Sequence, residues 1–92
     1  MTITSGATKR MELYEPFPSK AKNKKYSVYV LRDGKRKLIH FGDRRYQQFR
    51  DRLGHFSHLD HNDERRRELW YARHGRTNDR SSARYWAARV LW

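Results

Sequence analysis

Three histidines recur at a step of three in the stretch GHFSHLDHND: His55, His58 and His61, with Asp60 and Asp63 among them. Imidazole and carboxylate are zinc ligands, and a catalytic zinc site needs only three of them from the protein. Metal-binding histidine pairs on a helix usually sit four apart, as in H-E-x-x-H. Here Gly54 reads as a helix end and Asn62-Asp63 as a helix start, so residues 54–62 read as a loop. In a loop the step of three carries no geometry. The expectation is a polar connector in which Asp60 bonds nearby backbone. His55, His58 and His61 stand only as weak candidates for metal, and no cofactor is called for.

A small His-Asn-His nuclease is the natural enzyme to test against these residues. Asp60, His61, His74 and Asn78 are of the right types, but such a site places its hairpin between them, whereas the clear hairpin signal precedes Asp60. Gly34 and Gly42 lack the spacing of a phosphate-cradling loop. Glu64 and Glu68 lie four apart and read as helix-surface charges, and with Glu12 and Glu15 they make no general-acid pair. His40 and His74 read as structural histidines, and the expectation is a chain without catalytic residues or a small-molecule substrate.

Stepping from chemistry to bulk, the 92 residues suit one domain, with 22 Lys and Arg against 10 Asp and Glu and a net charge of +12. A field of that sign gathers polyanions, and nucleic acid is the leading partner because neutralised phosphates release counterions. The competing partner is an acidic protein or shell surface. Hydrophobic residues make up 36% and aromatic residues 14%, so the core is thin and built from large rings. There is no cysteine, which excludes disulfides and thiolate zinc sites. No apolar run approaches the ~20 residues of a membrane span, and the opening residues lack a signal-peptide core. The expected setting is the host cytoplasm or the inside of a particle, with no membrane partner.

The expected fold class is α+β: one β-hairpin at about 26–41 and short helices at about 44–53, 63–74 and 83–91. Asp33-Gly34 between alternating runs predicts a two-residue type I′ turn. That turn sets the register Arg32 to Lys35, Val30 to Lys37, Val28 to Ile39 and Tyr26 to Phe41, and puts Tyr26, Val28, Val30, Ile39 and Phe41 on one face. Asp43 caps the first expected helix, whose stripe is Tyr46, Phe49 and Leu53, and Gly54 ends it. Asn62 or Asp63 opens the second, and Trp86 and Val90 share a face of the third. Residues 1–24, with Pro16, Pro18 and a lysine cluster, read as an extended basic arm ahead of a domain at 25–92. Tyr14 and Phe17 in the arm, and Leu91 and Trp92 at the other end, are the expected docking residues for a partner.

The cations fall in three groups: Arg32, Lys35, Arg36 and Lys37 at the hairpin tip, Arg44 and Arg45 continued by Arg50 and Arg52, and Arg65, Arg66 and Arg67. Such groups contact phosphates without reading base sequence. The aromatic residues Tyr26, Phe41, Tyr46, Phe49, Trp70 and Trp86 are expected in the core, not stacked on bases.

The ordered set KYSVYVLRDGKRKLIHFGD, HLDHNDERRRELWYARHG and ARYWAARVLW resembles a family of short, poorly characterised proteins of tailed phages and large DNA viruses of eukaryotes. The matching positions are Ile39, His40, Phe41 and Gly42, then Asp60, Arg66, Tyr71, Arg73 and His74, then Trp86, Leu91 and Trp92. The resemblance covers about residues 25–92, implies viral origin and implies no activity. The resulting expectation is a non-enzymatic virion protein that docks by its arm and apolar C-terminus, with basic faces towards DNA or an acidic capsid or tail surface. The alternatives are a soluble, non-specific DNA- or RNA-binding accessory protein, and then the metal-dependent nuclease.

Overall fold

A computed structural model describes residues 12–92. Among the described residues the order of elements is β1 (Phe17–Pro18), β2 (Lys24–Arg32), β3 (Lys35–Asp43), α1 (Glu64–His74) and α2 (Ala83–Val90), with a 3-10 turn at Ser57–Leu59. The strands form an antiparallel sheet in the order β1-β2-β3, and the fold class is α+β as expected.

The hairpin has the predicted register: Arg32 faces Lys35, Val28 faces Ile39 and Tyr26 faces Phe41. Asp33 and Gly34 both adopt positive φ, 54° and 76°, which the type I′ turn requires. The core-facing row packs under α2: Tyr26, Val28, Val30 and Phe41 form one cluster with Trp86, Val90 and Leu91. Burying each large ring contributes about 2 kcal/mol or more. α2 begins at Ser82, whose side chain accepts from the Tyr85 N–H, a hydroxyl cap of the usual kind.

The helix expected at 44–53 does not form. Its residues run as turns and extended chain, because their backbone groups have distant partners. The Arg50 and Arg52 N–H groups donate to the Leu91 and Val90 carbonyls, both at 3.0 Å, and the His61 N–H donates to the Gln48 carbonyl at 3.0 Å. The supposed stripe is no stripe: Phe49 is buried, but Tyr46 is 62% exposed and Leu53 42%. α1 starts one residue later than expected, capped by Asp63 alone. Asn62 sits at φ 54°, outside the extended region an N-cap uses.

The expected arm at 1–24 is only partly separate. Residues 1–11 lie outside the described residues. From Leu13 onward the segment joins the domain: Leu13 bridges to Tyr29 and Phe17–Pro18 pairs with β2.

Gly42 shows how tightly α2 seats on β3. Its φ is 79°, and a Cβ there would lie 2.6 Å from Leu91 Cδ1 and 3.2 Å from Lys25 Cβ. Gly42→Ala is expected to lower stability by roughly 2 kcal/mol, from left-handed strain plus overpacking. Urea denaturation checks this, with a changed midpoint and an unchanged slope as the expected signature.

Candidate nucleic-acid interface

The connector between β3 and α1 is held by a buried polar cluster. Tyr26, buried on β2, donates its hydroxyl to Asp51 Oδ2 at 2.6 Å. The same Asp51 carboxylate accepts from the N–H groups of Leu53, Gly54 and Phe56, at 2.9, 3.0 and 2.7 Å. Burial pushes the Asp51 carboxyl up, but the bonds from Tyr26, Phe56, Leu53 and Gly54 outweigh it and hold the group below the ordinary range. Burial and then the bond to Asp51 push the Tyr26 phenol well up. Lys25 is 1% exposed, and its ammonium donates to Gln48 Oε1. Burial lowers its pKa, against the pull of Asp51, Asp60 and Asp43.

Asp60 is part of this scaffold: its Oδ1 accepts from the Asp51 N–H at 2.8 Å. The three histidines face different aromatic neighbours. His55 is edge-on to Tyr26, His58 is tilted against Phe56, and His61 lies 6.2 Å from Phe49 and 5.3 Å from Trp92. Among the described residues no group of three His, Asp or Glu side chains gathers as a metal would require. His74 packs on Trp70 at 4.6 Å, and Asn78 lines a shallow cleft beside Tyr71 and Arg76.

The arginines on this scaffold are fixed mainly by neutral groups. Arg84 donates to the His74 carbonyl at 2.9 Å and Arg52 to the Arg89 carbonyl at 3.3 Å; Arg67 Nε donates to the main-chain oxygen of Trp92 at 2.6 Å. Arg32 donates to the Ser81 carbonyl. Arg50 and Arg66 donate to the side-chain oxygens of Asn62 and Gln47, at 3.1 and 3.2 Å. Arg80 lies over Tyr14 at 3.9 Å, Arg76 over Tyr71 at 4.1 Å, Arg36 over Tyr29 at 4.4 Å and Arg44 over Phe56 at 5.3 Å.

Ion pairs do compensate some charges. Arg45 is bidentate on Asp43, and that hydrogen bond holds the Asp43 carboxyl down at about 2. Arg65 and Arg67 reach Glu68 and Glu64 at 3.6 and 3.8 Å, both exposed helix pairs of small worth.

The expected cation groups therefore assemble unequally. At the hairpin tip, Arg32 joins the loop before α2, which carries Arg80, and Arg84 follows in the first turn of α2; Lys35 and Lys37 are exposed on β3. At the other end Arg50 and Arg67 share the Phe49 ring, and Arg66 meets Gln47 beside them. Arg76, Arg80 and Arg84 join these ordered guanidinium groups, which spacing alone does not reveal. Arg76 settles on the nearby Tyr71 ring, five residues before it, but Arg80 settles on Tyr14, far along the chain.

α1 is the most outward element. It is polar nearly all round, with Trp70 its one buried residue and Leu69 exposed, the profile of a helix that stands off the core. It is tied down by the Trp70–Trp92 stack at 5.3 Å and by the Arg67 bond to the Trp92 carbonyl. Trp92 and the fully buried Leu91 thus have partners within the chain, as do Tyr14, stacked on Trp86 at 6.4 Å, and Phe17, stacked on Tyr29 at 5.8 Å. Arg66 and Arg73 flank Leu69 and Trp92 along a shallow groove on the exposed side of α1.

No family model, no curated protein and no solved structure matches the chain. Among the described residues no helix is long and apolar enough to cross a membrane.

His61 links this surface to pH. The Asp63 N–H donates to its Nδ1 at 2.9 Å, so the neutral ring carries its proton on Nε2, which is buried without a partner. Burial and then Arg66 lower its pKa, against Asp63 and Asp60. A folded pKa below the unfolded value of about 6.5 means that the unfolded chain takes up the proton first. The stabilising share of His61 is thus complete above about pH 6.5 and falls as pH drops below it. Urea midpoints from pH 7 to 5 should fall more steeply for the wild type than for His61→Gln; parallel curves would refute the assignment.

Proposed function

We propose that this chain is a non-enzymatic, particle-associated viral protein that binds nucleic acid through a pre-ordered arginine surface without reading its sequence. One observation carries the nucleic-acid part: guanidinium groups are held in place by carbonyl oxygens, an amide oxygen and aromatic rings, as those of Arg84, Arg52, Arg50, Arg76 and Arg80 are, so position is fixed by groups that carry no charge. Ordering a free arginine on a phosphate costs side-chain entropy of about 2 kcal/mol at most. Here part of that ordering precedes binding. The guanidinium fork also leaves further N–H donors for phosphate oxygens after one donor is used.

The viral, particle-associated part is supported by the sequence resemblance and by the charge of +12, which suits a protein packed against a genome. Contacts of this kind fix a protein on the phosphate backbone and discriminate little between sequences.

Two measurements test the proposal. In fluorescence anisotropy with a labelled duplex, log Kobs should fall linearly with log salt concentration, at about 0.9 per phosphate neutralised. Arg66→Gln with Arg73→Gln, both on exposed positions of α1, should weaken binding to all sequences alike and reduce the slope by about one per residue. A salt-independent affinity would overturn the nucleic-acid role. Quantitative mass spectrometry of purified particles should find the chain at a constant ratio to genome; its absence there would remove the particle role.

A further inference from the structure

The face of the sheet turned away from α2 is not the polar surface that a half-solvated antiparallel sheet usually presents. Phe17 of β1, Tyr29 of β2 and Arg36 of β3 form a row across the three strands: the Phe17 ring stacks on Tyr29 at 5.8 Å and 25°, and the Arg36 guanidinium lies 4.4 Å from the Tyr29 ring. Leu38, paired with Tyr29 in register, is 42% exposed on this face. Phe17, Tyr29 and Leu38, with Pro18, Lys20, Ala21, Ser27 and His40, line a groove of about 620 Å³. Its polar groups are few and gathered. His40 Nδ1 is engaged by Ser27 Oγ at 2.6 Å and by Ser19 Oγ at 3.3 Å, which leaves Nε2 as the ring's remaining polar atom.

We propose that this groove takes an unpaired base of single-stranded nucleic acid, seated against the Phe17–Tyr29 rings, with a flanking phosphate on Lys20. Charge complementarity selects the occupant: among the described residues the lining includes Lys20 and no carboxylate. An aromatic floor accepts any base, because every base has a π-face, and stacking of this type is sequence-tolerant. His40 Nε2 offers one hydrogen bond to a base edge. A duplex keeps its bases stacked and paired, so it reaches only the arginine surface. The proposal rests on the nucleic-acid role above and divides it into two surfaces: arginines for any phosphate backbone, and the sheet face for single strands.

The probe is an oligothymidylate 12-mer carrying one central 2-aminopurine, compared with a duplex of equal length. The single strand should quench on binding, as the fluorescent base stacks. Leu38→Asp changes an exposed side chain and should keep the fold, checked by its circular dichroism and urea midpoint. It should weaken the single strand about tenfold while leaving duplex affinity within about twofold, since one stacked base is worth 1–3 kcal/mol. Tyr29→Thr should abolish the quench. Binding of both probes without quenching, or equal loss of both in Leu38→Asp, overturns the groove and leaves the arginine surface standing. Displacement of the quench by polyglutamate of matched charge as effectively as by oligothymidylate also overturns it, since the groove then answers to charge alone. Failure of both probes to bind at low salt removes the nucleic-acid role itself, and the groove proposal with it.

Discussion

The Tyr26 hydroxyl on Asp51 is the bond on which the rest depends. A short chain with few apolar residues cannot hold a long connector by hydrophobic contact alone. Asp51 substitutes for the missing helix: one carboxylate collects the Tyr26 hydroxyl and three backbone N–H groups within a turn. Removing it would leave the buried Tyr26 hydroxyl and the partly buried Phe56 N–H without this acceptor, at a cost of about 1–3 kcal/mol each. Its own N–H is taken by Asp60, and the neighbouring Arg50 and Arg52 N–H groups reach back to the end of α2. The bond therefore joins the sheet, the connector and the last helix at one point. It does so under burial that disfavours the charge, which is why so many donors converge on it.

The arginines extend the same economy outward. In a protein with a thin core, a long side chain that lays its stem along an aromatic ring covers apolar surface while its charge stays in water. Arg76 on Tyr71, Arg80 on Tyr14 and Arg44 on Phe56 pack in this way. Lysine would serve less well, since its compact ammonium neither stacks nor forks. Packing of this kind orders the guanidinium group while leaving its charge at the surface, which is the property that the proposed phosphate contacts use.

What the sequence discloses and what it hides follows from range. The hairpin is legible in full because its determinants are local: Asp33-Gly34 fixes the turn, and alternation fixes the face. The two helices are legible from caps and from the Trp86–Val90 face. The connector is not legible, because Tyr46, Phe49 and Leu53 mimic a helical stripe while their segment's hydrogen bonds go to residues far along the chain. Nor could spacing show that Tyr14, Phe17, Leu91 and Trp92, apolar and near the ends, are partnered within the domain. The basic surface was legible as a charge and as groups of residues. Its ordering by carbonyls and rings was not, since each arginine's acceptor is set by the tertiary fold.

The two faces of the sheet complete the account. The inner face is explained by α2, which covers it with Trp86, Val90 and Leu91. The outer face carries Phe17, Tyr29 and Leu38, with Leu31 also exposed, where folding alone would be served by threonines and charges. An edge strand is normally protected by charge, and Lys35, Arg36 and Lys37 at one end of β3 can do that without any aromatic floor. The Phe17–Tyr29 stack is a cross-strand aromatic pair and stabilises the sheet. Solubility gains nothing from the exposed Leu38 beside it, and that is the feature the proposed single-strand groove accounts for.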